Sequence, residues 1–203
     1  MATYKTEGVI LKRSNFGEAD RILTIYTKHY GKIRAMAKGV RKITSRKGGN
    51  LELFNHCVLF LAKGRNLDII TEAQVVKSFS RLGDDLEKAA SAFYLVELVD
   101  QLTPDGQVNR QVFDLLVGAL DGLRPTINRF EESPTRPDNQ QLTINNFEIE
   151  LLRLLGFWSD KIDRKDVKSY IEEIIERKLR SPNFQQKLDN TSALHSAEVF
   201  DEK

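Results

Sequence analysis

Residues 21–38, RILTIYTKHYGKIRAMAK, contain the pattern on which the fold prediction rests. Residues 21–27 alternate in polarity and are rich in β-branched side chains, and residues 32–38 alternate again after the turn KHYG. Such alternation is typical of half-buried strands, and glycine is a frequent residue of the turns between them. The stretch therefore predicts two consecutive strands joined by a short turn.

Three further strands are predicted on either side of this pair. They cover residues 5–13, 51–62 and 67–76, and Gly17 is expected to have a positive φ in the turn before residue 21. Residues 51–62 are apolar on both faces, which predicts a central position in the sheet. Five strands of this length, with short turns and one longer connection, predict a small closed barrel.

The hydrophobic period changes to that of helices from about residue 84. Apolar residues recur at intervals of three and four in segments that begin near residues 86, 112, 144 and 167, and Gly156 is expected to end the third helix. The boundary between the two patterns lies near residues 77–83. The sequence thus predicts an α+β chain, with a barrel domain at 1–80, an all-α domain at 81–190 and a polar, disordered tail at 191–203.

The two predicted domains carry opposite charge. The chain of 203 residues has a net charge of +2, which divides into +9 up to Ser80 and −7 from Arg81 onward. This asymmetry predicts that the first domain binds a polyanion. The longest run without Asp, Glu, Lys or Arg is about half of the roughly 20 residues that a membrane-spanning helix needs. Because the N-terminus also lacks the apolar region of a signal peptide, we expect a cytoplasmic protein without a membrane partner.

Positive charge is concentrated between Gly31 and Asn50, where seven cations occur without an acid. Alternation along residues 32–38 places three of these cations on one face of a strand, and a basic loop follows directly. Crowded cations repel each other unless an anion neutralises them, and nearby aromatic rings, Tyr26 and Phe16, offer stacking surfaces to unpaired bases. The alternative is a solvated basic face that protects a sheet edge from aggregation. The candidate DNA-binding residues are Lys32, Arg34, Lys38, Arg41, Lys42, Arg46, Lys47 and Tyr26, with Lys12, Arg13 and Arg21 as lesser candidates.

Catalytic and metal-binding patterns are not found in the sequence. Cys57 is the only cysteine, which excludes an internal disulfide and a cysteine-based zinc cluster, and the three histidines are scattered. Asp160, Asp163 and Asp166 lack the glycine and the closing glutamate of an EF-hand. The glycines match neither GxxxxGK[ST] nor GxGxxG. We therefore expect no enzymatic activity, no cofactor and no metal.

In their order along the chain, these segments resemble the RecO family of bacterial recombination mediators. The resemblance is carried by TEGVILKRSNFGEADRILTIYTKHYGKIRAMAKGVRK (6–42), LELFNHCVLFLAKGRNLDIITEAQVV (51–76), YLVELVDQLTPDG (94–106), FEIELLRLLGF (147–157) and RKLRSPNFQQKL (177–188). Many members of that family carry a four-cysteine zinc module after the LLGF helix. This chain has no CxxC there, so the resemblance does not bring a zinc site with it.

The resemblance implies an N-terminal OB-fold, a C-terminal helical domain and a non-enzymatic role in DNA repair and recombination. It implies binding of single- and double-stranded DNA, annealing of complementary strands and a location at the nucleoid. It also implies that the protein works with RecR to load RecA onto strands coated by single-strand-binding protein, whose acidic C-terminal tail the family contacts. Taken alone, the residues leave two alternatives open: an OB-fold RNA-binding protein, and an adaptor that acts through its acidic helical domain.

Overall fold

The computed structural model describes residues 2–45, 47–124, 139–159, 162–163 and 165–180. Within these residues, five strands are followed by a short 3-10 helix, Ser80–Asp84, and four α-helices. The strands are β1 (Thr3–Phe16), β2 (Asp20–Thr27), β3 (Gly31–Ala37), β4 (His56–Ala62) and β5 (Asp68–Lys77). The helices are α1 (Leu86–Leu102), α2 (Arg110–Gly122), α3 (Asn139–Leu155) and α4 (Val167–Ile174).

The strands form a closed barrel in the order β1-β2-β3-β5-β4. All neighbouring pairs are antiparallel except β3 and β5, which are parallel. Alternation directs one face of each strand inward, where Ile25, Ala35, Leu59 and Ile70 are fully buried. A closed five-stranded barrel followed by helices confirms the predicted α+β fold, an OB-type barrel with an all-α second part.

The helical part packs on the barrel through α1. Asp85 begins this helix by accepting hydrogen bonds from the backbone N–H groups of Glu87 and Lys88, as expected of an N-cap. Residues on several sides of α1 are buried, because the helix lies between the barrel and the other helices. Gly156 follows α3 with a φ of +79°, which confirms its predicted place at the end of that helix.

The segment 51–55 corrects the predicted extent of the fourth strand, which begins only at His56. Leu51 is buried in the barrel core, whereas Phe54 has a φ of 68° and packs into the core of the helical part. Asn55 is buried, and its side chain accepts a hydrogen bond from the backbone N–H of Phe79. Residues 51–54 therefore form a turn in which Leu51 and Phe54 contribute to the two cores and Glu52 is partly exposed, and the sequence pattern alone does not separate such a turn from a strand.

One more boundary differs from the prediction, because α3 begins at Asn139, five residues before the expected start near residue 144. The predicted tail at 191–203 lies outside the described residues. No described helix is both long enough and apolar enough to cross a lipid bilayer.

Candidate nucleic-acid interface

The loop after β3 presents exposed cations at one end of the barrel. They are Lys38, Arg41 and Lys42, named here the loop edge. The loop is held on the β1–β2 turn, since the backbone N–H of Gly39 donates to Asp20 at 2.7 Å and that of Arg41 donates to Ala19 at 2.9 Å. None of the three side chains forms an ion pair with a described residue. The loop edge is thus a group of exposed cations on a loop held against the barrel, in which the Arg41 side chain also donates to the carbonyl of Gly17 at 3.2 Å.

Arg34 extends this positive surface along β3. It is exposed, and it lies beside Thr24 of β2, which in turn lies beside Lys12 of β1. Lys38 follows the last residue of β3, four residues after Arg34, so the two exposed cations belong to neighbouring parts of the chain.

Two further candidates share a carboxylate. Arg13 and Arg21 both form ion pairs with Glu52, the latter at 3.3 Å. Burial and the neighbouring Arg21 lower the pKa of Arg13. One acid between two guanidiniums leaves a net positive charge, but both side chains are already held by protein contacts. Lys47 is likewise engaged, donating to the carbonyl of Ile70 at 3.1 Å, and Arg46 lies outside the described residues.

Lys32 joins the barrel to the helices, although the sequence placed it on the cationic face. Its Nζ donates to the carbonyls of Asp100 at 2.6 Å and Thr103 at 2.7 Å, at the C-terminal end of α1. It also lies 3.6 Å from a carboxylate oxygen of Asp100, and its side chain is only 11% exposed. Lys12 pairs with the same Asp100. The orphan carbonyls and the negative end of the helix macrodipole explain why a lysine is stable there.

Tyr26 is not a stacking surface, which corrects the prediction. It is fully buried, and its hydroxyl donates to the carbonyl of Asn109 at 3.4 Å. Burial raises the pKa of Tyr26 to about 12. The ring belongs to the hydrophobic core that the barrel shares with the helices, and a strand pattern does not reveal which side chains of a strand a later helix will cover.

A groove between the barrel and α1 adds residues that the sequence analysis missed. This barrel–helix groove has a volume of about 450 Å³, and its floor is apolar. Phe93 of α1 contributes to the floor, and Arg177 and Arg180 line the groove together with Arg34. The sequence signal for Arg177 and Arg180 is the basic run ERKLR (176–180). Because this run lies about 100 residues after the last strand, the sequence does not indicate that it contacts the barrel.

The chemistry of this surface is that of binding. Exposed cations along one strand face and loop suit the phosphates of a nucleic acid, and an apolar groove with an aromatic ring suits its bases. Among the described residues, no three His, Cys, Asp or Glu side chains lie together in a way that could hold a metal ion.

Comparisons with known proteins identify the family that this chain resembles over most of its length. Residues 1–79 match the family model described as the N terminal of recombination protein O, and residues 83–160 match the C terminal of the same protein. A DNA repair protein RecO of Roseiflexus sp. is 40% identical over 154 residues, which are 76% of this chain and 50% of the relative. The DNA repair protein RecO of Pelotomaculum thermopropionicum is 38% identical over 77% of this chain and 57% of its own length. The chain spans about half the length of the curated relatives it matches.

Proposed function

From the premise that the chain belongs to the RecO family of DNA repair and recombination proteins, we propose that it binds DNA through the loop edge and Arg34. The observation that carries the proposal is the loop edge, three exposed cations without a described ion-pair partner on a loop held against the barrel. Cations placed in this way bind phosphates by releasing condensed counterions, and they do so with little regard to base sequence. Arg46 and Lys47 stay in the proposed set as members of the same loop.

The finer activities follow from the family resemblance. We propose that the protein anneals complementary strands and, with RecR, helps to load RecA onto strands coated by single-strand-binding protein, whose acidic tail it contacts. Annealing requires two anionic strands to be screened and brought together, which a cationic surface does without a catalytic group. A cytoplasmic, nucleoid-associated location is part of the same proposal.

The test is the salt dependence of DNA binding by the full chain. We expect the affinity for a single-stranded oligomer to fall steeply between low and moderate salt, as measured by fluorescence anisotropy. Replacing Lys38, Arg41 and Lys42 by Ala removes up to three phosphate contacts, so the slope of log K against log salt concentration is expected to fall by about 2. The annealing rate of labelled complementary strands is expected to fall in parallel.

A matched variant controls for overall charge. Lys5, Lys63 and Arg65 are exposed cations at the opposite end of the barrel, beside the start of β1 and the β4–β5 turn. Their replacement by Ala changes the net charge by the same three units and is expected to leave the slope nearly unchanged. Equal losses in the two triple variants would contradict a site at the loop edge, and a flat salt dependence of the unaltered protein would contradict the proposed function as a whole.

A further inference from the structure

We propose that the barrel–helix groove receives an unpaired nucleotide, with the base stacked on Phe93 and the adjoining phosphate bound by the guanidiniums around it. The inference rests on the proposed DNA binding. It adds that the groove selects single-stranded DNA. It predicts that the groove distinguishes single strands from duplexes, whereas the loop edge binds both.

The aromatic surface is fixed in place. Phe93 is 41% exposed and lines the groove. Its ring packs edge-to-face on Phe54, with ring centroids 4.9 Å apart and an angle of 78° between planes. Because Phe54 supports the ring from the protein side, the ring offers a pre-positioned apolar surface to a base.

Three of the five cations that line the groove are available, whereas Lys12 and Arg13 are paired with Asp100 and Glu52. No side-chain hydrogen bond or ion pair links Arg34, Arg177 or Arg180 to another described residue. Glu97 is the only acid among the described residues that line the groove, and its carboxylate accepts a hydrogen bond from the backbone N–H of Arg180 at 2.9 Å. Guanidinium groups bind phosphate through two parallel hydrogen bonds and also stack on bases, so both parts of a nucleotide find a complementary group.

Size and continuity favour a nucleotide over other anionic ligands. A volume of about 450 Å³ lies within the usual range of small-ligand sites. The bases of a duplex are paired and stacked inside the helix, so only an unpaired or extruded base can reach such a floor. Arg34 lines the groove and stands four residues before Lys38 of the loop edge, so a strand bound at the loop edge can continue into the groove. An acidic peptide would match the charge but would not require this continuity.

The experiment compares the affinity of the full chain for a single-stranded oligomer and for a blunt duplex of the same length. Phe93→Ala is expected to weaken single-strand binding by about tenfold or more and to change duplex binding less than twofold. Phe93→Trp is expected to retain single-strand binding, because it keeps an aromatic face. Leu86→Ala is the matched control, since Leu86 is an exposed apolar residue of α1 (51%) that does not line the groove.

The outcomes separate this inference from the proposed function. If the unaltered protein binds single strands and Phe93→Ala binds them equally well, the nucleotide site is refuted while DNA binding stands. The nucleotide site is also refuted if Phe93→Ala lowers the affinity for the single strand and for the duplex by the same factor. It is refuted as well if an acidic peptide binds through Phe93 without competing with DNA. If the unaltered protein binds neither the single-stranded oligomer nor the duplex, both the proposed function and this inference are refuted. Thermal melting followed by circular dichroism verifies that Phe93→Ala and Phe93→Trp are folded.

Discussion

His56 is a buried ionisable residue between the barrel and the helices. Its Nε2 lies 3.0 Å from a carboxylate oxygen of Glu7, its ring packs edge-to-face on Phe113, and it is 6% exposed. The Nδ1 atom is buried without a partner among the described residues. Burial lowers the pKa of His56, and the cations Lys77 and Lys28 add to that effect, while Glu7 opposes it.

The lowered pKa predicts a loss of stability in mild acid. Between the folded pKa and the ordinary value of about 6.5, the unfolded chain binds more protons than the folded chain at this site. The stability contributed by neutral His56 is therefore fully present above about pH 6.5 and is lost as the pH falls through the folded pKa. His56→Gln keeps a donor for Glu7 but does not titrate. Urea unfolding is measured for both proteins as the pH is lowered from 7.5 to 5. The unfolding free energy of the original protein minus that of His56→Gln is expected to fall over this range. A constant or rising value would contradict the assignment.

At the scale of elements, the β2–β3 turn is where the barrel meets the loop between α1 and α2. Gly31 has a φ of +65°, and a Cβ added there would lie 2.2 Å from the backbone oxygen of Gln107. The backbone N–H of Gly106 donates to the carbonyl of Lys32 at 2.9 Å, which holds the two segments together. A glycine is needed at residue 31 for both its conformation and its lack of a side chain.

This close approach predicts unequal effects for two glycines of similar φ. Gly17 has a φ of +57° in the β1–β2 turn, and nothing lies within 4 Å of its added Cβ. Gly17→Ala is expected to cost about 1–2 kcal/mol from the left-handed conformation alone. Gly31→Ala adds the overlap with Gln107, so its cost is expected to be larger by about 1–3 kcal/mol. Urea unfolding of both variants measures the difference, and equal costs would indicate that the barrel and the α1–α2 loop separate easily.

The elements were predictable from the sequence where local pattern alone determines them. Strict alternation predicted β2 and β3 to within a residue or two, and the period of three and four predicted α1 and α2. The turn at residues 51–54 was not predictable, because Phe54 packs into the core of the helical part and its hydrophobicity therefore does not indicate a strand. The same reason limits the candidate site: alternation placed Lys32 and Arg34 on one face, but the partners of Lys32 lie 68 and 71 residues further along the chain.

At the scale of the whole molecule, part of the charge asymmetry is used to dock the two halves. Lys12 and Lys32 of the barrel pair with Asp100 of α1, and Lys77 of β5 pairs with Asp121 of α2 at 3.0 Å. The charge total of each half does not reveal which cations are used in this way. Lys12, Lys32 and Lys77 are neutralised by acids of the helices, whereas the loop edge has no ion-pair partner among the described residues.

This division predicts opposite consequences for two cations that lie two residues apart on β3. Lys32→Met removes the donor to the carbonyls of Asp100 and Thr103 in a largely buried site and leaves Lys12 as the remaining cationic partner of Asp100, so we expect a loss of about 3 kcal/mol in unfolding free energy. At a temperature where that variant is folded, the salt slope of DNA binding is expected to be unchanged. Arg34→Met is expected to leave stability within about 0.5 kcal/mol and to lower the slope by about 0.7, the value for one phosphate of a single strand. The reverse result, with Lys32→Met folded normally but binding DNA weakly, would return Lys32 to the DNA-binding surface. It would also mean that the barrel and the helices are held together mainly by apolar packing and not by their opposite charges.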